Sequence, residues 1–237
     1  MRDIKGGDWR RFAIYWVPEP GPLAAFGAAW LGWDAAAGRE AAHPAISGLP
    51  NKVADLTAVP RKYGLHGTIK PPFRLAPGTD AGALDRAAAT LAAAASPVTL
   101  DGLRIDAIGA FLALVPDGDT RPLAQLAARV VEGLDAFRAP PDAAEIARRN
   151  PDSLSERQRA LLDRWGYPYV MGEFRFHVTL SGPLDPRTAT EVGQALAPHL
   201  APLLPRPFVL GALALSGEAP DGRFHILRRY QLGGQAT

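Results

Sequence analysis

Cysteine is absent from the 237 residues of this chain. Its absence excludes disulfide bonds, thiolate nucleophiles and the cysteine-ligated zinc and iron–sulfur sites. A strong excess of one charge is also missing, because 26 Lys and Arg residues stand against 24 Asp and Glu residues, giving a formal net charge of +2. The basic residues form no long run, so an extended nucleic-acid partner is not expected. The charge balance favours a small anionic ligand.

Long apolar segments are missing as well. A membrane-spanning helix needs about 18 or more consecutive apolar residues, and Asp, Arg, Gly and Pro interrupt every alanine-rich stretch before that length. The N-terminal residues lack the apolar segment of a secretion signal. We therefore expect a cytoplasmic protein, monomeric and without a membrane partner. A chain of this length buries roughly 70–75% of its unfolded surface on folding. Its hydrophobic core can therefore be large enough to stabilise the fold without disulfide bonds or structural metals.

Hydrophobic periodicity and turn residues predict seven strands and four main helices. The order mixes the two kinds of element without a regular strand–helix–strand alternation, which predicts an α+β fold. The expected strands are 10–17, 63–75, 98–105, 110–115, 174–181, 208–215 and 223–230, and the expected helices are 23–33, 80–95, 121–137 and 186–203.

Residues 139–168 differ in character and predict a helical hairpin inserted between two strand-bearing halves. A first helix is expected from Asp142 to Asn150. Ser153 and Glu156 have the spacing of a capping box, which predicts the start of a second helix, and Gly166 is the expected end of that helix. Such an insert is a candidate lid over a neighbouring site.

Two distant strands carry the same pattern of apolar residue, His, any residue, Thr and apolar residue: LHGTI at 65–69 and FHVTL at 176–180. Side chains alternate between the two faces of a strand, so every second residue shares a face. The residues expected to share one face are His66, Thr68 and Lys70 on the first strand, and Arg175, His177, Thr179 and Ser181 on the second.

Two histidines facing one cleft suit phosphodiester cleavage. A neutral imidazole takes a proton from the attacking water or hydroxyl, and a protonated imidazole donates one to the leaving oxygen. The threonine hydroxyls reach the same space and donate to phosphate oxygens, while Lys70 or Arg175 offsets the negative charge. A metal site is the competing use of two histidines, but it needs a third ligand, and neither motif offers a carboxylate on that face. No metal or cofactor is expected.

The paired His-x-Thr strands resemble those of the 2H phosphoesterase superfamily, the RNA-ligase-like cyclic phosphodiesterases. Three longer strings are similar to its DUF1045 branch, which is associated with phosphonate metabolism: YGLHGTIKPPFRLA, LSERQRALLDRWGYPYVMGEFRFHVTLSGPL and GRFHILRRYQL. The resemblance implies one two-lobed catalytic domain over residues 1–237, with pseudo-twofold antiparallel-sheet lobes flanking a central cleft. It implies that His66 and His177 are the acid–base pair and that Thr68 and Thr179 bind phosphate.

The function expected from residues and resemblance together is metal-independent hydrolysis of a small cyclic phosphate or nucleotide-like phosphodiester. Two alternatives stay open at this point: a phosphate- or nucleotide-binding module without turnover, and an RNA-end-processing cyclic phosphodiesterase. Tyr15, on the first strand, is expected to face the cleft and stack on a substrate base or sugar. His225, on the last strand, is expected at the surface.

Overall fold

Eleven strands and seven α-helices are found in the part of the chain that the computed structural model describes, which is Ile4 and residues 6–233. The strands are β1 (Arg11–Trp16), β2 (Trp33–Asp34), β3 (Arg39–Glu40), β4 (Gly67–Phe73), β5 (Val98–Leu100), β6 (Gly102–Ile108), β7 (Phe111–Asp117), β8 (Val178–Thr179), β9 (Phe208–Leu210), β10 (Ala212–Glu218) and β11 (Phe224–Gln231). The helices are α1 (Pro22–Leu31), α2 (Val53–Leu56), α3 (Ala81–Ala93), α4 (Arg121–Gly133), α5 (Ala143–Ala147), α6 (Glu156–Trp165) and α7 (Pro186–Leu200).

Seven of the strands form one antiparallel sheet in the order β11-β10-β1-β4-β8-β7-β6. The first four strands in that order make one half and the last three make the other. The halves meet where β4 pairs with β8, through Gly67 and Val178. The remaining strands form two small ribbons, β2-β3 and β5-β9. The expected α+β class with antiparallel sheets is confirmed, and the sheet brings the two His-x-Thr segments side by side.

The main core lies on one face of this sheet, which packs against α3, α4 and α7. The helices have apolar residues at helical spacing, so each presents one stripe to the strands. In α4 the stripe comprises Leu123, Leu126 and Val130, all fully buried. The main core and these three helices thus lie on the same side of the sheet. None of the described helices is both long and apolar enough to cross a membrane.

The insert contains α5 and α6, as expected, but the second helix begins two residues late. Its capping box joins Ser155 and Gln158, not Ser153 and Glu156. Residues 151–153 instead form a separate turn of 3₁₀ helix that begins at Pro151, and Ser155 is the residue that caps α6. Gly166 ends α6 in the left-handed conformation, with a φ of 72°.

Candidate active site

The two His-x-Thr segments lie next to each other because β4 and β8 are antiparallel neighbours. Gly67 pairs with Val178, so continuing the register by one residue places His66 opposite Thr179 and Thr68 opposite His177. Paired residues share a face, which puts all four side chains on the side of the sheet away from the main core. Diagonal neighbours in such a pair lie about 7–8 Å apart. The two imidazoles therefore occupy opposite corners of a four-residue array.

Both imidazoles are oriented by the same local hydrogen bond. Nδ1 of His66 lies 2.9 Å from the carbonyl oxygen of Gly64, and Nδ1 of His177 lies 2.8 Å from that of Arg175. A carbonyl oxygen only accepts, so Nδ1 must carry the hydrogen and donate it. The neutral ring then has Nε2 as its free acceptor. Neither Nε2 has a hydrogen-bond partner among the described residues, which leaves both atoms available to a ligand.

Two aromatic rings lie against the partly buried imidazole of His66. The ring of Tyr15 lies 4.2 Å from the imidazole between centroids, and that of Tyr63 lies at 5.4 Å. These rings keep water away from the imidazole, and a buried cation loses its hydration. Burial is the largest cause that lowers the pKa of His66 from 6.5 to about 4, and the nearby His177 lowers it further, against the Gly64 hydrogen bond. His66 is therefore neutral at pH 7.

His177 has a less aromatic environment. The ring that contacts it is that of Phe111, at 5.6 Å between centroids. The strand that carries it is also short, because β8 contains only Val178 and Thr179, whereas the sequence predicts a strand over 174–181. His177 itself precedes the ladder and is held by its own bond to Arg175.

Gly67 allows the two strands to approach. A Cβ atom at this position would overlap the ring of Phe176, which packs directly over the glycine. Phe176 is buried in the main core beside Trp16 and Phe208. The residue between His66 and Thr68 must therefore lack a side chain so that the second motif can lie beside the first.

The expectation that Lys70 shares the face of His66 and Thr68 is wrong. The register between β1 and β4 shifts at this point: Tyr15 pairs with Thr68, but Ile14 pairs with Lys70. The irregularity turns Lys70 toward the core, where it is only 2% exposed. Its Nζ donates to the carbonyl oxygen of Val131 at 3.0 Å and lies 3.8 Å from Asp135. Burial lowers its pKa to about 8, and the residue ties β4 to α4.

Tyr15 faces the site but does not offer a stacking surface to a substrate. Its side chain is 1% exposed and packs under His66 and against Phe224. Its hydroxyl has no hydrogen-bond partner in the described structure, and burial raises its pKa well above 10. The expected contact with a base or sugar is wrong, and the ring instead supports the His66 imidazole.

Arg175, Ser181 and His225 lie in three different environments. Arg175 is exposed, at the rim of the site. Ser181 is buried, donating to Gly182 and accepting from the amide of Leu112, because the backbone becomes irregular after Thr179. His225 is also buried, against the rings of Trp9 and Trp33. The expectation of a surface position for it is wrong.

No three His, Asp or Glu side chains come together as metal ligands within Ile4 and residues 6–233. The neighbours of the two histidines are hydroxyl groups and aromatic rings. Hydroxyls and imidazoles suit the binding and protonation of a phosphate ester.

Comparison with known proteins identifies the family. The family model described as "Protein of unknown function (DUF1045)" matches residues 68–225, which include both motif threonines and His177. The chain belongs to this family. The assignment made from the longer sequence strings is thereby confirmed.

Two curated relatives of the DUF1045 chain carry the name ribose 1,5-bisphosphate phosphokinase PhnN. The protein of Janthinobacterium sp. (strain Marseille) is 35% identical over 232 residues, which are 95% of this chain and 51% of that protein. The protein of Laribacter hongkongensis (strain HLHK9) is 37% identical over 183 residues, or 74% of this chain and 40% of that protein. The chain thus spans about half the length of the curated relatives it matches.

Two solved structures are distantly similar to the DUF1045 chain. TT0787 of Thermus thermophilus is 16% identical, with a TM-score of 0.44 over 95% of this chain and 100% of that chain. LigT of E. coli complexed with 3′-AMP is 14% identical, with a TM-score of 0.42 over 96% of this chain and 100% of that chain. At these scores the likenesses carry no weight for fold or function.

Proposed function

We propose that this protein is a metal-independent phosphoesterase of the 2H type, which hydrolyses a small cyclic phosphate or nucleotide-like phosphodiester. The observation that carries the proposal is the pairing of Gly67 with Val178. That pairing sets two imidazoles and two hydroxyls on one face of the sheet. The His-x-Thr resemblance described above supports the same reaction.

Neutral His66 is the general base, and His177 is the general acid. With a pKa of about 4, His66 is protonated in only about one molecule in a thousand at pH 7, so the neutral ring that a general base requires is nearly always present and the protonated ring that a general acid requires is rare. His177 lies diagonally across the array and supplies the proton. The unequal surroundings of the two rings support this division of roles.

The reaction consumes one water and breaks one phosphorus–oxygen ester bond. Nε2 of His66 takes a proton from the water as its oxygen attacks phosphorus. The ester bond on the far side breaks, and its oxygen receives a proton from Nε2 of His177. The hydroxyls of Thr68 and Thr179 donate to the non-bridging oxygens, where negative charge increases in the transition state. The product is a phosphate monoester, and a second proton transfer through water restores both histidines.

The names of the curated relatives support a pentose phosphate as the class of substrate. Those relatives are named as kinases of ribose 1,5-bisphosphate and share about half their length with this chain. A phosphoesterase beside such a kinase would act on a related sugar phosphate ester. This fits a role in phosphonate metabolism.

The proposal is tested by assaying a panel of cyclic phosphates in the presence of EDTA. Wild type is compared with His66→Ala, His177→Ala and the control His199→Ala, which changes an exposed histidine on α7. Each change at the site is expected to lower kcat/KM by about 10²–10⁴-fold, the usual contribution of a proton-transfer group, while the control keeps full activity. Equal activity in all variants, or activity lost on adding EDTA, would overturn the proposal. Calorimetric binding without product formation would indicate a binding module instead.

A further inference from the structure

A polar cavity lies beside the array, between the insert and the first half of the sheet. Its volume is about 170 Å³. Six cationic side chains line it, and they come from separate parts of the chain: Arg11, Lys62, Arg74, Arg138, Arg148 and Arg149. One carboxylate, that of Glu145, lines the same cavity. Cations gathered in a concave wall produce a stronger local potential than the same charges dispersed on a surface.

Half of these cations are neutralised by the protein itself. Arg11 pairs with Glu218, Arg74 pairs with Glu145 and Asp142, and Arg138 pairs with Asp135. The other three, which are Lys62, Arg148 and Arg149, have no acidic partner among the described residues. The cavity therefore retains an uncompensated positive charge that an anion would neutralise.

Two of the three uncompensated cations are already held in place by aromatic rings. Nζ of Lys62 lies 4.9 Å from the ring centre of Tyr63, and the guanidinium of Arg149 lies 4.6 Å from that of Tyr167. Cation–π contacts of this kind orient a charge without cancelling it. The cations are thus partly ordered before a ligand arrives, which reduces the entropy lost on binding.

Tyr63 links the cavity to the array. Its ring lines the cavity on one side and contacts His66 on the other. Strand β1 also connects the two places, because Arg11 lines the cavity and Tyr15 contacts His66. The two residues lie on the same face of the strand, four residues or about 13 Å apart. The buried hydroxyl of Tyr15, still without a partner, lies in the same region of the sheet face.

We infer that this cavity binds a second phosphate group of the substrate, a phosphate monoester carried several bonds away from the ester that is cleaved. Because Tyr63 separates the two positions, a phosphate joined directly to the reacting one would not reach. A pentose ring can carry two phosphates on different carbons, several bonds apart, which makes it a suitable class of scaffold. The inference rests on the proposed function and narrows it to substrates that bear two phosphates.

The test compares two substrates that differ only in the second phosphate: adenosine 2′,3′-cyclic phosphate and the same compound with a 5′-phosphate. Wild type is expected to prefer the phosphorylated compound in kcat/KM. In the double variant Lys62→Gln/Arg149→Gln this preference should fall by about tenfold to a hundredfold, the usual loss when hydrogen bonds to a charged group are removed. The control Arg129→Gln removes an exposed arginine on α4, across the sheet, and should keep the preference.

A binding measurement separates this inference from the proposed function. Ribose 5-phosphate, which carries only a monoester, is titrated calorimetrically into wild type, the double variant and the Arg129→Gln control. Weaker binding in the double variant alone supports the cavity as a phosphate site even if none of the cyclic compounds is hydrolysed. Equal binding by all three proteins, or an unchanged substrate preference in the double variant, would overturn the inference.

Discussion

The two His-x-Thr segments have the same sequence pattern and the same hydrogen bond at Nδ1, but different surroundings. His66 precedes a seven-residue strand and lies against the rings of Tyr15 and Tyr63. His177 precedes a two-residue strand and contacts the ring of Phe111. The motif thus fixes the orientation of each imidazole. At His66, burial in addition penalises the cation and lowers the pKa of the ring, and we propose that the two copies of the motif divide the roles of base and acid.

The threonines provide the first test of whether both halves bind phosphate, although the surroundings of their histidines differ. Thr68→Val and Thr179→Val each remove a hydroxyl donor while keeping the shape of the side chain. We expect each to lower kcat/KM by about tenfold to a hundredfold, because a hydrogen bond to a charged oxygen is lost. Thr99→Val, an exposed position on β5, is the control and should have no effect. Wild-type activity in both site variants would remove the phosphate-binding role.

The pH dependence of kcat/KM tests the role of His66 as the base. Activity should persist as the pH falls and decline only near the pKa of His66, at about 4. A base with an ordinary pKa of about 6.5 would instead lose about thirtyfold by pH 5. The measurement is a profile of kcat/KM between pH 4 and 8, and an acid limb centred near 6.5 would contradict the assignment.

The same pKa has a consequence for stability. When the pH falls below about 6.5, His66 in the unfolded chain takes up a proton, whereas in the folded chain it stays neutral until about pH 4. The unfolded state then binds more protons, so the contribution of His66 to the free energy of unfolding decreases across that window. Denaturant unfolding of wild type and His66→Ala at pH 7 and pH 5 isolates this contribution, which should be absent from the variant.

Gly67→Ala tests the close approach of the two motifs. The added methyl group overlaps the ring of Phe176, and overpacking of this kind typically costs about 1–3 kcal/mol of stability. Activity should fall as well, because the second motif is displaced from the first. The control is Gly193→Ala in α7, where the nearest atom outside the helix backbone lies 3.9 Å from the new Cβ. There the substitution should be neutral or stabilising, since alanine favours helix.

The two motifs can be found in the sequence because alternation along a strand is a local property. His66, Thr68, His177 and Thr179 do share one face, as period 2 predicts. Lys70 breaks the rule because the register shift between β1 and β4 depends on a neighbouring strand that the motif itself does not contain. A local pattern therefore predicts a face only as far as the next irregularity.

The remaining features of the site depend on tertiary contacts. Alternation places Tyr15 on the site face, but nothing in RFAIYW shows that His66 will cover its ring. The basic cavity cannot be predicted from the sequence, because its cations belong to separate segments and form no run in the chain. A cluster of charges that only folding brings together leaves no run of charged residues in the sequence.

A substrate with a good leaving group tests the division of labour between the histidines most directly. A p-nitrophenyl phosphodiester releases a stable phenolate and needs no general acid, whereas a nucleoside 2′,3′-cyclic phosphate releases an alkoxide that must be protonated. On the cyclic substrate, His66→Ala and His177→Ala should both lose about 10²–10⁴-fold in kcat/KM. On the p-nitrophenyl ester, His177→Ala should regain most of its activity and His66→Ala should not. Recovery in His66→Ala alone would reverse the roles, and equal recovery or equal loss in both variants would contradict the account.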